Sequence, residues 1–286
     1  MQEQEVQITC QDQINLAATL FHAEESKAAV MIGPATGIKR QFYAAFAKHL
    51  AENGFSTLTF DNRGIAESKQ GGINEGNPSL RNWGKQDMTA ALEVLKDRYP
   101  NVDYHLIGHS AGGQLVGLME NAQELKSIFN FGSSSGSLHY AKYPFKIMSY
   151  FFLRIYIPFN NLLFGHTKSQ WVGMGEPLPK EVGKEWSRWC SHKGYVKVDL
   201  DTKIKEHYYH QLELDSLWVH ASDDSIANTE TVNDMIEVFP KIKAEIKTVI
   251  PDEYGFKDIG HMKFFSKRRS PLWILATDWL NKHSSK

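Results

Sequence analysis

Two stretches of the sequence match Gly-x-Ser-x-Gly, a pattern in which a serine hydroxyl can attack a carbonyl carbon. A random chain of this composition would hold roughly 0.1 such matches, so context must separate them. Gly108-His109-Ser110-Ala111-Gly112 follows the β run Tyr104-His105-Leu106-Ile107 and opens a helical pattern from Gly112 to Glu120. Strand, tight turn and helix in that order lift a hydroxyl clear of a sheet, and small neighbours let a strained backbone pass close to adjoining elements. The helix start also aims unpaired N–H groups at the point where negative charge develops in acyl transfer, with Ala111 as the first oxyanion donor. Gly132-Ser133-Ser134-Ser135-Gly136 follows a strand too, but leads into Ser137-Leu138-His139-Tyr140 with no helix behind it. Ser134 is expected to sit at a strand end near the site, not to attack.

A serine hydroxyl is inert at neutral pH unless a base takes its proton, and the base needs an acid to fix its tautomer. Of twelve histidines, His261 stands out in Asp258-Ile259-Gly260-His261, a loop between the last strand and the last helix. Loops at the carboxyl ends of strands are where an open α/β sheet collects its reactive groups. His109 lies within the nucleophile turn but points elsewhere if Ser110 points up, and is read as structural. His207 and His210 have HxxH spacing with no third ligand evident, so no metal is expected. For the acid, Ser222-Asp223-Asp224-Ser225-Ile226-Ala227 directly follows the strand Leu217 to His220, and either aspartate can serve. The second oxyanion donor is expected in the turn Gly33-Pro34-Ala35-Thr36-Gly37, with Ala35 first and Thr36 next, since Pro34 has no N–H.

The elements that must position these groups read as an alternation. An opening hairpin (Glu5 to Thr9, Ile14 to Phe21) precedes a buried strand, Ala28 to Ile32, and from there strands and helices take turns. The strands are Ser56 to Phe60, His105 to Ile107, Ser127 to Phe131, Leu217 to His220 and Glu245 to Ile250. Between and after them fall helical patterns at Gln41 to Asn53, Trp83 to Asp97, Gly112 to Glu120, Thr229 to Phe239 and Pro271 to Asn281. The fold class is therefore α/β, a mostly parallel sheet flanked by helices. Residues 138–212 break the rhythm with no clean strand and many aromatics, and read as a helical cap inserted into a core formed by 1–137 and 213–286. Its aromatics are expected mainly to bury one another, with some lining a ligand.

At 286 residues, 42% hydrophobic and 23% charged, the chain has material for one large core plus an appendage, which excludes disorder, collagen and coiled coil. A net charge of −1 provides no overall field toward nucleic acid or an anionic membrane. Cys10 and Cys190 are far apart and form no CxxC, so a reducing compartment, the cytoplasm, is expected. The acidic start Met1-Gln2-Glu3-Gln4-Glu5 lacks the pattern of a secretory signal. The most apolar stretch, Ile147 to Phe164, is interrupted by Arg154, Pro158, Asn160 and Asn161, and reads as amphipathic with no stable membrane insertion.

The Gly33–Gly37 turn, Asp61-Asn62-Arg63-Gly64-Ile65-Ala66-Glu67-Ser68 (against D-x-R-G-x-G-x-S), the Ser110 turn, the Asp224 loop and His261 together resemble an α/β-hydrolase of the serine aminopeptidase and monoglyceride-lipase-like group. Glu185-Trp186-Ser187-Arg188-Trp189-Cys190 is similar to a run in a bacterial subgroup of predicted hydrolases of unassigned substrate. The resemblance implies an α/β-hydrolase fold with the order Ser110, Asp224, His261, and Asp224 over Asp223 because that fold sets its acid in Asp-x-apolar-small. Ala66 replaces a common glycine, and Gly33-Pro34 replaces a His-Gly pair before the oxyanion loop. Arg63 is read as tying a loop, with binding of a substrate carboxylate as the lesser reading.

The expected activity is hydrolysis of a carboxylic ester, thioester or amide with an apolar moiety. Ser110, His261 and Asp224 would act as a triad on a small-molecule acyl substrate, with no cofactor and no nucleic-acid partner. A non-catalytic ligand-binding protein of the same fold, and an acyltransferase, are the rivals.

Overall fold

The computed structural model describes residues 2–285; Met1 and Lys286 lie outside them. Ten strands run in chain order as β1 (Gln2–Thr9), β2 (Asn15–His22), β3 (Ala28–Gly33), β4 (Phe55–Phe60), β5 (Asp103–His109), β6 (Leu125–Phe131), β7 (His166–Thr167), β8 (Leu178–Pro179), β9 (Asp215–Ala221) and β10 (Lys243–Val249). Eight of them form one sheet in the order β1-β2-β4-β3-β5-β6-β9-β10, and β7 pairs with β8 alone. β1 and β2 are antiparallel to their neighbours, and every pairing from β4 to β10 is parallel. The parallel strands therefore deliver the ends of β3, β5, β6 and β9 to one edge, where the loops carrying the candidate residues emerge.

Both faces of the sheet's centre are covered, which is why β3 and β4 are buried at every position and do not alternate between buried and exposed. In β3, Ala29 and Met31 belong to one buried cluster while Ala28, Val30 and Ile32 belong to the other. β9 divides the same way, with Trp218 on one side and Leu217, Val219 and Ala221 on the other. The first face is covered by the helix Thr89–Arg98 and by residues of the intervening segment, among them Trp189, Tyr195 and Tyr209. The second is covered by the helices Ala44–Glu52 and Ile274–His283.

Several expectations are corrected. The helix behind Ser110 is one α turn, Ala111–Gln114, then a 3-10 turn, Val116–Leu118. Gly112, Gly113 and Gly117 hold too little helix propensity to extend it, so its macrodipole is small. The segment 138–212 does contain strands, the short pair β7 and β8. Its aromatics do not mainly bury one another: Phe152 and Trp189 are buried, but Tyr143, Tyr150, Phe151, Phe159, Phe164 and Trp171 are exposed.

The Asp61–Ser68 segment is held by two buried ion networks. Arg63, fully buried, reaches Asp87 at 2.6 Å and Asp12 at 2.5 Å, and its carbonyl accepts from Trp83 Nε1 at 3.1 Å. Its Nε, Nη1 and Nη2 are all engaged within the protein, by Asp87, Asp12 and the Gly76 carbonyl, which supports the loop-tying reading over the binding of a substrate carboxylate. Asp61 accepts from Arg40 Nη1 at 2.7 Å and from the Arg40 amide at 2.6 Å, while Ser68 Oγ donates to the Asp61 carbonyl at 2.7 Å and accepts from the Ala17 amide. The Glu185–Cys190 run is likewise structural: Glu185 pairs with Arg81, Arg188 and Trp189 both bond Asp199, and the Cys190 carbonyl accepts from the Leu138 amide.

Removing the Arg63 cation would strand Asp87 in an interior from which water is excluded. Arg63→Leu is expected to destabilise the fold by about 3–5 kcal/mol, read as a lowered urea midpoint at unchanged slope.

Candidate active site

Ser110 follows β5 with φ 49° and ψ −111°, a conformation that strains any residue with a side chain. Hydrogen bonds on both sides over-determine it: its amide donates to the Phe131 carbonyl at 3.1 Å, and its carbonyl accepts from Ser133 Oγ at 2.9 Å and from the Gly113 amide at 3.1 Å. The turn also fits only because Gly112 lies against the backbone of β3, where a Cβ would overlap the Gly33 carbonyl. The pattern's glycine is thus a requirement of packing between two backbones.

His261 Nδ1–H donates to Asp224 Oδ2 at 2.8 Å, which leaves Nε2 with its lone pair free. The other Asp224 oxygen accepts from the amides of Ile226 at 2.8 Å and Ala227 at 2.9 Å. Burial alone would raise this carboxyl, but the His261 charge, its hydrogen bond and the two amides hold it below the usual carboxylate range. Asp223 is bonded differently, its two oxygens accepting from the amides of Ile259 and Gly260, each at 2.9 Å, so that it clamps the loop that carries His261. Among the described residues no hydrogen bond closes Ser110 Oγ onto His261. Bonds of this kind are often long before substrate binds.

A second chain of bonds joins three of the loops. The Ala35 amide donates to Tyr43 Oη at 2.9 Å, so the tyrosine's own proton goes to His109 Nδ1 at 2.9 Å. That fixes the other His109 nitrogen as the donor, and Nε2–H reaches the His261 carbonyl at 3.1 Å. Burial first, and then the charge of His261, pushes the His109 imidazole down to about 3, so it stays neutral in this single tautomer. Its ring is packed by Phe265 and Tyr43. His109, next to the serine, therefore holds the backbone of His261.

This chain corrects the oxyanion assignment. The Ala35 amide is occupied by Tyr43 and is not free to bind a developing oxyanion. Thr36, one residue on and half-buried, has no acceptor for its amide among the described residues. Ala111 is buried at the first helical position, where no intrahelical acceptor exists for its N–H.

Ser134 is fully buried, with its hydroxyl on the Ile226 carbonyl at 3.3 Å and its carbonyl accepting from Gln114 Nε2. It braces the Asp224 loop. What sequence reasoning misses in this second match is Gly132, at φ 62°, above which the His261 ring lies: a Cβ there would stand 3.1 Å from Cε1. A glycine directly after a strand end is the available signal. The HxxH pair does acquire a neighbour, since Asp201, His207 and His210 bring ligand-type atoms within 4.8 Å of one another. His207 Nε2 is bonded to Asp201 at 3.1 Å.

In solved structures the same fold recurs over almost the whole chain, and this chain has the α/β-hydrolase fold. A soluble variant of monoglyceride lipase from Saccharomyces cerevisiae, solved with a substrate analogue, matches with a TM-score of 0.70 and 16% identity over 95% of this chain and 93% of that one. A thermostable carboxyl esterase from Bacillus coagulans, solved with glycerol, gives 0.64 and 13% over 99% of each chain. The Pyrococcus furiosus esterase Pf2001 gives 0.60 and 16% over 99% of this chain and 93% of that one. Residues 24–126 match the family described as serine aminopeptidase, S33, a span that holds the Gly33–Gly37 turn and Ser110 but stops short of Asp224 and His261. No sequence among curated proteins matches the chain.

His109→Phe keeps an aromatic ring but removes the donor to His261 and the acceptor of Tyr43. It is expected to lower kcat by about 10- to 100-fold with KM little changed. The unfolded imidazole binds a proton below its ordinary 6.5 while the folded one resists until about 3, so the wild type loses stability as pH falls through that window. The variant's melting temperature should fall less over the same range.

Proposed function

We propose that this chain, an α/β-hydrolase in fold and over residues 24–126 in sequence, is a serine hydrolase of carboxylic esters, thioesters or amides bearing an apolar group. The observation that carries this reading is the 2.8 Å bond from His261 Nδ1–H to Asp224, at the strand edge where Ser110 is held in its strained turn. Ser110 Oγ attacks the carbonyl carbon as His261 Nε2 takes its proton, and the ionised Asp224 stabilises the imidazolium through Nδ1. The amides of Ala111 and Thr36 bind the oxyanion, and His261 returns the proton to the leaving group. Water, activated by the same imidazole, then releases the acyl group from Ser110.

Residues 138–212 act as the cap over this site. In support, the Glu176 amide donates to the Gly37 carbonyl at 2.8 Å and the Asn228 side chain donates to the Tyr140 carbonyl at 3.3 Å, so the segment is tied to both the oxyanion turn and the Asp224 loop. An ester is the first choice of substrate, because two of the similar structures are a monoglyceride lipase and a carboxyl esterase.

A fluorophosphonate probe tests the reading. Wild type is expected to be labelled, Ser110→Ala to escape labelling, and hydrolysis of a short acyl ester to fall by about 10⁴-fold or more in Ser110→Ala and in Asp224→Asn. Labelling that persists in Ser110→Ala sinks the assignment, and an unlabelled, inactive wild type sinks the enzyme.

A further inference from the structure

The segment Phe145–Phe164 is helical throughout, with a π turn at Phe152–Tyr156, and it carries apolar side chains on its outward face as well as on the one docked to the core. Its inward face packs Phe152, Leu153 and Ile157 into the core and buries Asn160 and Asn161, 2% and 4% exposed, which bond to the Tyr156 and Lys180 carbonyls and to Thr167. Its outward face carries Ile147, Phe151, Ile155, Phe159 and Leu162 at helical spacing, and Leu162 is 82% exposed. Among the described residues, twelve of the fifteen exposed large hydrophobic side chains fall between Tyr143 and Val172. A contiguous apolar face of this kind marks an interaction site.

Charge says what kind of surface it meets. From Leu125 to Gly175 there is no Asp or Glu in 51 residues, where the chain's average would place about six, and there are five Lys or Arg. Beside the helix runs a groove of about 420 Å³ with Ile157 and Leu162 on its walls and Arg154, Lys180, Lys184 and Arg188 around it. Glu181 and Asp199 pair with Lys184 and Arg188, but Arg154 and Lys180 form no ion pair among the described residues. At the helix end Lys168 lies 3.7 Å above the Phe164 ring and 4.1 Å from that of Trp171, a cation seated among exposed aromatics.

We propose that this face is a docking surface for a membrane of anionic phospholipids: the outward apolar side chains enter the acyl boundary, and Arg154, Lys180 and Lys168 meet the phosphates. Among the described residues no helix is long and apolar enough to cross a membrane, so the contact is interfacial. The inference stands whether or not the chain is a hydrolase.

Co-sedimentation of the full chain with vesicles of phosphatidylcholine, with and without phosphatidylglycerol, tests it. Wild type is expected to bind the anionic vesicles at least about tenfold more tightly than neutral ones, with binding weakened by sodium chloride. Phe159→Asp with Leu162→Asp should lose at least about tenfold, and Arg154→Gln with Lys180→Gln about fivefold per cation on anionic vesicles alone. These residues are exposed, so both double variants should melt as the wild type does and hydrolyse a short soluble ester at its rate. Failure of wild type to bind, equal binding to both vesicles, or binding untouched by either double variant overturns the proposal. So does a dimer that Phe159→Asp with Leu162→Asp splits, which would assign the face to a second copy.

Discussion

The organisation of the site depends on the tautomer of one imidazole. As the base of the proposed reaction His261 must carry its proton on Nδ1, and Asp224 accepts from that atom at 2.8 Å. For a buried carboxylate to do so it must remain ionised, which burial opposes. The opposition is met locally: the Ile226 and Ala227 amides supply two of the donors an isolated carboxylate would lack. The Asp-x-apolar-small pattern thus has a physical content, a short turn whose two amides point back at the aspartate. Asp223 beside it accepts from two further amides and fixes the loop that carries the base, so adjacent carboxylates divide orientation of the ring from orientation of its backbone.

A second level of constraint comes from close backbone approach. The Ser110 turn can lie against β3 because Gly112 presents no side chain to Gly33, and that contact sets the distance from the nucleophile to the turn at residues 33–37. The Tyr43–His109 chain then connects the same turn to the His261 carbonyl without a charged group in its path. A neutral buried histidine suits that role better than a charged one would, because a cation so near His261 would oppose formation of the imidazolium. The helix behind Ser110 is too short for a substantial macrodipole, so in the proposed reaction the oxyanion would rest on individual amides whose positions these contacts set.

Much of this is legible in the sequence because it is local. Strand, turn and helix around Ser110, the loop after the Leu217–His220 strand and the loop before the last helix each announce themselves within a dozen residues. The α/β alternation does the same for the sheet. What is not legible depends on pairs far apart in the chain. Nothing near Ala35 indicates that its amide is taken by Tyr43, or that Tyr43 turns toward His109, 66 positions away. The role of Gly132 depends on a histidine 129 residues downstream. At Ala111, apolar periodicity suggests a long helix, and three glycines cut it short. The cap departs from its pattern for a related reason: aromatic content says that a surface will be covered, but not whether by this chain.

That last distinction bears on how residues 138–212 are held together. The 145–164 helix docks through Phe152, Leu153 and Ile157, which join the core, and directional bonds from its buried asparagines fix its position further. Asn161 bonds both the Lys180 carbonyl and Thr167, Ser187 Oγ donates to the Leu153 carbonyl at 2.6 Å, and the Phe152 ring packs edge-on to Trp186, so the 180–190 helix grips the 145–164 helix through polar and apolar groups together. The same 166–180 segment continues into Leu178, which packs against Gly37, and into the Glu176 amide bonded to the Gly37 carbonyl. The segment that presents the outer apolar face is thus joined by a short series of contacts to the turn at residues 33–37. Phe152, Leu153 and Ile157 serve the core while the row from Ile147 to Leu162 takes no part in it, so the two faces of one helix divide packing from the surface it presents.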